Sequence, residues 1–289
     1  MTAPGQNGET TPTLQSRLAD TLFIFLQKIL PQHLLSRLVG WVAESEITWI
    51  KRSFINWAIG RYKIDLSDAL EPNPETYASF NAFFTRALKP DARPIEGEFC
   101  CPADGAISEC GDICTGQLLQ AKGINYSLEQ LMAGGKPDVY AEGSFATVYL
   151  APRDYHRVHS PVSGKLIAAR YVPGKLFSVN QQTADAIPDL FAINERLVME
   201  FETPSGPVGL VMVGAMIVAG IQPIWRDTPY PARQILAEDI NNKFQNTTFS
   251  AGDELGRFLM GSTAIVVTAH RHGLKHKAGD IVRMGESLI

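Results

Sequence analysis

The 289-residue sequence contains no run of 18 uninterrupted apolar residues, so a membrane-spanning helix is not expected. It has no excess of positive charge. Its 26 Lys and Arg face 30 Asp and Glu, and a net charge of -4 gives no argument for a nucleic-acid surface. Cysteine is scarce: Cys100, Cys101, Cys110 and Cys114. The adjacent first pair makes a poor disulfide framework, and Cys110-x3-Cys114 has no second pair to complete a metal site. Reduced thiols and no metal are expected. Residues 1–15 contain no Lys or Arg and resemble neither a secretory signal nor a transit peptide; they read as a disordered polar tail.

What is present divides the chain in two. Between Leu14 and Lys63, seven Lys and Arg stand against three acids, a net +4, which leaves -8 for the remaining residues. Leu18, Leu22, Phe25, Leu26, Ile29 and Leu30 recur at helical spacing, and Pro31 ends that segment. Further periodic stretches run over His33–Val42 and Ile47–Ile59, and three of the four tryptophans (Trp41, Trp49, Trp57) lie here. Two readings are open. Basic, amphipathic, Trp-bearing helices suit a membrane interface; the same helices also suit a layer packed on a core with its charges solvated. Tyr77–Lys89 reads as another helix, closed by Pro90.

From about Phe99 the texture is β: short apolar runs bounded by the 24 Gly and 18 Pro. Strands are expected over Phe145–Leu150, Lys165–Tyr171, Leu197–Phe201, Val208–Ile221 (interrupted at Gly214 and Gly220) and Asp280–Met284. Pro173–Asn180 reads as a turn and strand, Phe244–Phe249 as irregular, and His270–Lys277 as a solvated basic loop. Pro102-Ala103-Asp104-Gly105-Ala106-Ile107 echoes Pro161-Val162-Ser163-Gly164-Lys165-Leu166, each a tight turn leading into a strand. The fold class expected is α+β: an N-terminal helical layer, then a mainly antiparallel β barrel or sandwich.

Three residue types could carry chemistry. Asp104 lies in a Pro-x-Asp-Gly turn, where Asp-Gly also serves as plain turn chemistry. His156 and His159 lie three apart among Arg, Asp and Tyr. A zinc site would need a third ligand that no spacing supplies, and an acid–base role would need a partner fixing the tautomer. Ser262 follows Gly261 at a bend between two apolar runs. That is ordinary for a turn, and it also suits a nucleophile with a base. From spacing alone a triad of these residues is only one arrangement among several.

Taken together, Pro102-Ala103-Asp104-Gly105, Arg153-Asp154-Tyr155-His156-Arg157-Val158-His159, Pro173-Gly174-Lys175-Leu176-Phe177-Ser178-Val179-Asn180, Asn194-Glu195-Arg196 and Gly256-Arg257-Phe258-Leu259-Met260-Gly261-Ser262-Thr263 resemble phosphatidylserine decarboxylase proenzymes. The pieces run in the same order from about Thr76 to the C-terminus. Met260 stands where the family often has Leu, a conservative apolar exchange.

The resemblance implies a self-cleaving enzyme. Asp104 would orient His159, and His159 would deprotonate Ser262, whose oxygen attacks the Gly261 carbonyl. The chain would separate into a long β chain (1–261) and a short α chain (262–289), with residue 262 becoming a covalent pyruvoyl cofactor. That carbonyl would hold the amine of phosphatidylserine as a Schiff base while carbon dioxide leaves, giving phosphatidylethanolamine. His156, as a group that titrates near neutral pH, would return the proton. Tyr155, Ser178 and Asn180 would contact the substrate. Residues 16–90 would form a membrane-associating region and 91–289 the catalytic core. The partners implied are phosphatidylserine in an anionic bilayer, the protein's own short chain and a second copy, at the cytoplasmic face of a bacterial cell membrane. Two other readings stay open: a serine hydrolase using Asp104, His159 and Ser262 on an uncut chain, and a non-enzymatic carrier or membrane-binding module, with Lys165 as the carrier lysine.

Overall fold

The structure, a computed structural model, describes residues 14–121, 123–216, 220–230, 244 and 246–289. The tail expected over 1–15 lies outside the described residues except for its last two, which begin the first helix. Three helices open the chain: α1 (Leu14–Ile29), α2 (Gln32–Ala43) and α3 (Thr48–Tyr62). Pro31 separates the first two, because it cannot continue a helix but suits the start of one.

The faces these helices bury are inverted relative to a packed helical layer. Among the described side chains of α1 the buried one is Gln27, while Leu22, Phe25, Leu26 and Ile29 are exposed. On α2 the buried stripe is Gln32, Ser36, Gly40 and Ala43, and Leu34, Leu38 and Trp41 face outward, Trp41 with 78% of its surface free. Polar side chains dock these helices. Gln27 Oε1 accepts the Ser178 N–H at 2.8 Å, its Nε2 donates to Thr183 Oγ1 at 3.2 Å, and Gln32 Oε1 accepts the Leu176 N–H at 2.8 Å. α3 buries apolar residues in the usual sense, beside Ala43 at the end of α2. Its Ile55 and Ala58 join Phe80, Phe83 and Phe84 of α4 (Phe80–Phe84) in a small separate core.

The helix expected over Tyr77–Lys89 is therefore much shorter. Ser79 caps α4 by accepting the Ala82 N–H, and Thr85 turns its hydroxyl back to the Asn81 carbonyl. Beyond it, Leu70 N–H bonds to Ala87 O and Lys89 N–H to Asp68 O, so the chain runs extended against residues 68–70.

The β region comprises β1 (Gly105–Asp112), the hairpin β2 (Gln117–Ala121) and β3 (Ile124–Ser127), the short helix α5 (Leu128–Met132), β4 (Ser144–Leu150), β5 (Arg157–His159), β6 (Gly164–Val172), α6 (Gln181–Ala184), α7 (Leu190–Ile193), β7 (Arg196–Glu202), β8 (Val208–Val213), β9 (Ile221–Pro223), β10 (Thr248–Phe249), β11 (Glu254–Phe258), β12 (Ser262–Thr268) and β13 (Ile281–Val282). Eight strands form one antiparallel sheet in the order β10-β6-β7-β8-β12-β4-β1-β13. Both halves of the turn repeat are seen, since Gly105 opens β1 and Gly164 opens β6.

Both faces of this sheet are covered, which explains the unbroken apolar runs of β8 and β12. Ala264 and Val266 join Leu210 and Met212 on one face, where the three-stranded sheet β5-β11-β9 packs through Val158, Leu255 and Phe258. Ile265 and Val267 join Val211 and Val213 on the other, under the β2–β3 hairpin, α5 and α7. This is a layered, sandwich-like arrangement. Among the described residues the edge strands β10 and β13 do not pair, so the sheet does not close as a barrel.

Pro173–Asn180 forms no strand. Its N–H groups at Leu176, Phe177 and Ser178 are taken by the side chains of Gln32, Asn194 and Gln27, leaving a single bridge between Lys175 and Asn194. Phe244–Phe249, expected to be irregular, ends in β10. Residues 217–219, within the expected Val208–Ile221 stretch, lie outside the described residues.

Candidate active site

β5 and β11 lie side by side, and β11 runs through Leu259–Gly261 directly into β12. This brings the His-rich segment beside the Gly-Ser step. Phe258 N–H donates to His156 O at 2.9 Å, Ser160 N–H to Asp253 O at 2.8 Å, and Gly252 N–H to Ser160 O at 2.9 Å. Arg157 fastens the pair further, with Nη1 on Glu254 Oε2 at 2.7 Å and Nε on Thr85 O at 2.9 Å. The Asp104 turn joins from the other side, where His159 N–H donates to Pro102 O at 2.9 Å.

Ser262 is the first residue of β12 and is fully buried. Its Oγ has no hydrogen-bond partner, which is unusual for a sealed hydroxyl. The two residues before it both have positive φ, Met260 at 99° and Gly261 at 37°. For Met260, whose Cβ disfavours this region, that is local backbone strain. The Met260 side chain packs against the α3–α4 core, which holds it there.

The two histidines share one arrangement. His156 Nδ1 faces the Asp154 carbonyl at 2.8 Å, and His159 Nδ1 faces the Gly252 carbonyl at 2.8 Å. A carbonyl can only accept, so each Nδ1 carries the proton and each neutral ring offers its lone pair at Nε2. His159 Nε2 receives the Tyr155 hydroxyl at 3.0 Å. His156 Nε2 is buried with no partner, and its ring lies tilted against Phe84 at 4.0 Å between centroids. Burial pushes the His156 pKa down to about 3 and lowers that of His159, so both are held neutral near pH 7. The expectation that His156 titrates close to neutral pH is thereby corrected: a fully enclosed ring cannot take a charge cheaply.

Asp104 does not touch His159 here. Its carboxylate accepts from Arg93 Nε (2.9 Å to Oδ1) and Nη2 (2.6 Å to Oδ2), and from the Met284 N–H at 2.8 Å. Asp104 reaches His159 only as a nearby negative charge that favours its protonation. Nor does Ser262 Oγ bond to either histidine. The fold thus gathers the three segments without closing a hydrogen-bonded triad.

Ser178 and Asn180 have local duties. The Ser178 N–H docks on α1, and Asn180 Oδ1 caps α6 by accepting the Thr183 N–H at 3.0 Å. The Asn194-Glu195-Arg196 piece is scaffold. Asn194 ties Phe177 to Gly214, and Arg196 donates to four backbone carbonyls (Gln130, Leu131, Ala192, Asn194). Sequence reading missed Arg93, the direct partner of Asp104. Nothing in Ala92-Arg93-Pro94 distinguishes it from a solvated arginine. Free thiols are found at all four cysteines, and no group of three metal-ligating side chains occurs among the described residues.

Comparison with known proteins places this geometry. Residues 80–289 match the family model described as phosphatidylserine decarboxylase, and residues 22–63 match a second model described as PSD. Similar curated proteins include one from Alcanivorax borkumensis, 50% identical over 86% of this chain and 88% of its own length. Another, from Saccharophagus degradans, is 46% identical over 94% and 98%, and one from Pseudomonas putida is 48% identical over 92% and 96%. Each is named phosphatidylserine decarboxylase proenzyme. With the Asp-bearing turn, the paired histidines and the strained Gly-Ser step on one continuous match, the chain belongs to the phosphatidylserine decarboxylase family.

Proposed function

We propose that this protein is a phosphatidylserine decarboxylase that makes its own pyruvoyl group by cutting the chain between Gly261 and Ser262. The observation that carries the reading is the junction itself. A serine hydroxyl sealed from water and left without a partner follows two residues at positive φ, in a chain whose relatives are named proenzymes. An uncut serine hydrolase fits less well, because Ser262 is fully buried at the start of a central strand.

In the cut, Ser262 Oγ bonds to the Gly261 carbonyl carbon, the amide nitrogen leaves and takes a proton, and an ester replaces the peptide bond. Removal of the Cα proton of residue 262 then breaks the ester. Gly261 departs as a carboxylate, and residue 262 is left as a dehydroalanine. Its imine tautomer takes up one water, releases ammonia and becomes the pyruvoyl group. Gly at 261 supports the first step, because no side chain shields the attacked carbonyl. His159 is the base, acting at Nε2 after exchanging the Tyr155 hydroxyl for Ser262. Asp104, fixed by Arg93, strengthens that base through its charge.

When present, the pyruvoyl group supplies an electrophilic carbonyl that takes up the substrate amine and draws electrons from the carboxylate bond. His156 manages the proton that replaces carbon dioxide. Its Nδ1 proton is committed to Asp154 O, so Nε2 is the atom that would carry one, and the negative charge of the bound substrate would have to offset the burial that keeps the free ring neutral. Ser178, Asn180 and Tyr155 are the head-group contacts in this reading, and what supports it is the bond of Tyr155 to His159.

The inverted faces of α1 and α2 support peripheral attachment to an anionic bilayer, which this reading assigns to the cytoplasmic face of a bacterial membrane. Exposed Leu, Phe and Trp would enter the acyl boundary, and the net +4 of this region would meet the lipid charge. No described helix is long and apolar enough to cross a membrane. Assembly as a pair of cleaved protomers completes the reading.

Intact-mass analysis of the purified protein tests it. Fragments 1–261 and 262–289, the latter beginning with pyruvoyl, together with carbon dioxide release from phosphatidylserine, are expected. An uncut chain that is active would sink the proposal.

A further inference from the structure

A second polar site adjoins the first. A cavity of about 230 Å³ opens between the segment after α3, the loop after α4, and the Arg153–Tyr155 loop. Asp104 and Tyr155 stand on its wall, and Tyr155 is the residue bonded to His159. The cavity therefore touches the proposed chemistry without containing it.

Five cations line the cavity (Lys63, Arg86, Arg93, Arg153, Arg283) against four carboxylates (Asp65, Asp68, Asp104, Asp154), an excess of one positive charge. Arg93 is matched by Asp68 and Asp104, and Arg153 lies 3.7 Å from Asp154. Asp65 accepts the N–H and hydroxyl of Ser67 and acts on Arg86 and Arg283 only as a nearby charge, without an ion-pair contact. That leaves Lys63, Arg86 and Arg283, which have no carboxylate partner among the described residues. Arg86 is the telling one. It is 96% buried, it lines the cavity, and only its Nη2 is used, donating to Arg153 O at 3.2 Å. Its Nε and Nη1 have no acceptor. A buried guanidinium with unused donors is costly unless an anion completes it.

We infer that this cavity binds a phosphate-class anion, seated on Arg86 with Lys63 and Arg283 at its rim. Guanidinium and ammonium donors lining one cavity suit the oxygens of a phosphate mono- or diester. On the decarboxylase reading, on which the lipid part of this inference rests, the anion is the substrate's phosphodiester. In a serine head group the reacting amine and the phosphorus are separated by two carbons and one oxygen, so their sites must adjoin. Tyr155, on the cavity wall and bonded to His159, is the link between the two sites that this demand requires.

The test compares wild type with Arg86→Gln, Arg86→Lys and the exposed pair Lys63→Gln/Arg283→Gln. Self-cleavage on a denaturing gel, KM and kcat for phosphatidylserine in mixed micelles, and melting temperature in phosphate against chloride at equal ionic strength are read for each. Arg86→Gln is expected to be cleaved, to raise KM about ten- to a hundredfold with a smaller change in kcat, and to be partly rescued in Arg86→Lys. Inorganic phosphate is expected to raise the melting temperature of wild type and not that of Arg86→Gln. A change in KM alone assigns the site to the lipid head group, and a phosphate shift alone assigns it to free phosphate. If Arg86→Gln does not fold, the surface pair decides, with severalfold weaker responses expected. Unchanged KM together with an absent or Arg86-independent phosphate shift overturns the inference. The phosphate arm needs no decarboxylation, so an Arg86-dependent shift in a protein that releases no carbon dioxide would retire the proposed activity and keep the site.

Discussion

At the scale of single residues, the site is a set of groups held one step short of contact. His159 donates to Gly252 and accepts from Tyr155, so the base function proposed for it is masked by an internal bond. His159→Ala is expected to slow cleavage at least ~100-fold, leaving the chain in one piece on a denaturing gel; normal cutting would remove His159 from the mechanism. Tyr155→Phe frees Nε2 and is expected to change the pH profile of cleavage without abolishing it. His156 makes a separate prediction. Its folded pKa of about 3 lies below the ordinary value of 6.5. The unfolded chain therefore binds more protons between those values, and stability falls as pH drops from about 6.5 toward 3, by up to about 1.4 kcal/mol per pH unit. Urea titrations of wild type and His156→Asn across this window should differ in slope, with the variant less acid-sensitive. Parallel slopes would mean that His156 is not enclosed as described.

At the scale of elements, the helices carry the sharpest lesson. Their periodicity in the sequence located α1, α2 and α3 to within a few residues, yet periodicity cannot say which face turns inward. Gln27 and Gln32 decide it, because buried backbone N–H groups of the 176–178 segment need acceptors that a leucine cannot supply. The same demand erased the strand expected over Pro173–Asn180. Strands buried on both faces, such as β8 and β12, were legible as continuous apolar runs. The pairing of Asp104 with Arg93 was not, since it joins residues whose contact depends on the fold. Two outcomes follow. Trp41→Ala, on an exposed face, is expected to change stability by no more than about 0.5 kcal/mol while weakening flotation with anionic liposomes; retained flotation in a Leu34/Leu38/Trp41 triple alanine variant would rule out this face as the anchor. Gln27→Ala is expected to cost about 1–3 kcal/mol in urea unfolding, because it strands the Ser178 N–H.

At the scale of the whole molecule, the position of β12 matters most. It lies between β8 and β4, with all seven residues buried. The proposed short chain thus keeps a central strand and the edge strand β13. The two pieces are expected to co-elute on native gel filtration and to separate only in denaturant. Separation under native conditions would contradict this topology.

That strand placement also gives the protein a history. Before the cut, β12 finds its neighbours as part of one chain, in a first-order reaction indifferent to concentration. After the proposed cut, the same sheet can be rebuilt only if two molecules meet, and one of them would be the peptide 262–289 with an unprotected apolar strand. The mature form should therefore denature irreversibly at dilutions where an uncut Ser262→Ala chain still refolds. The fold is made once, and the enzyme afterwards lives on the slowness of its own unfolding.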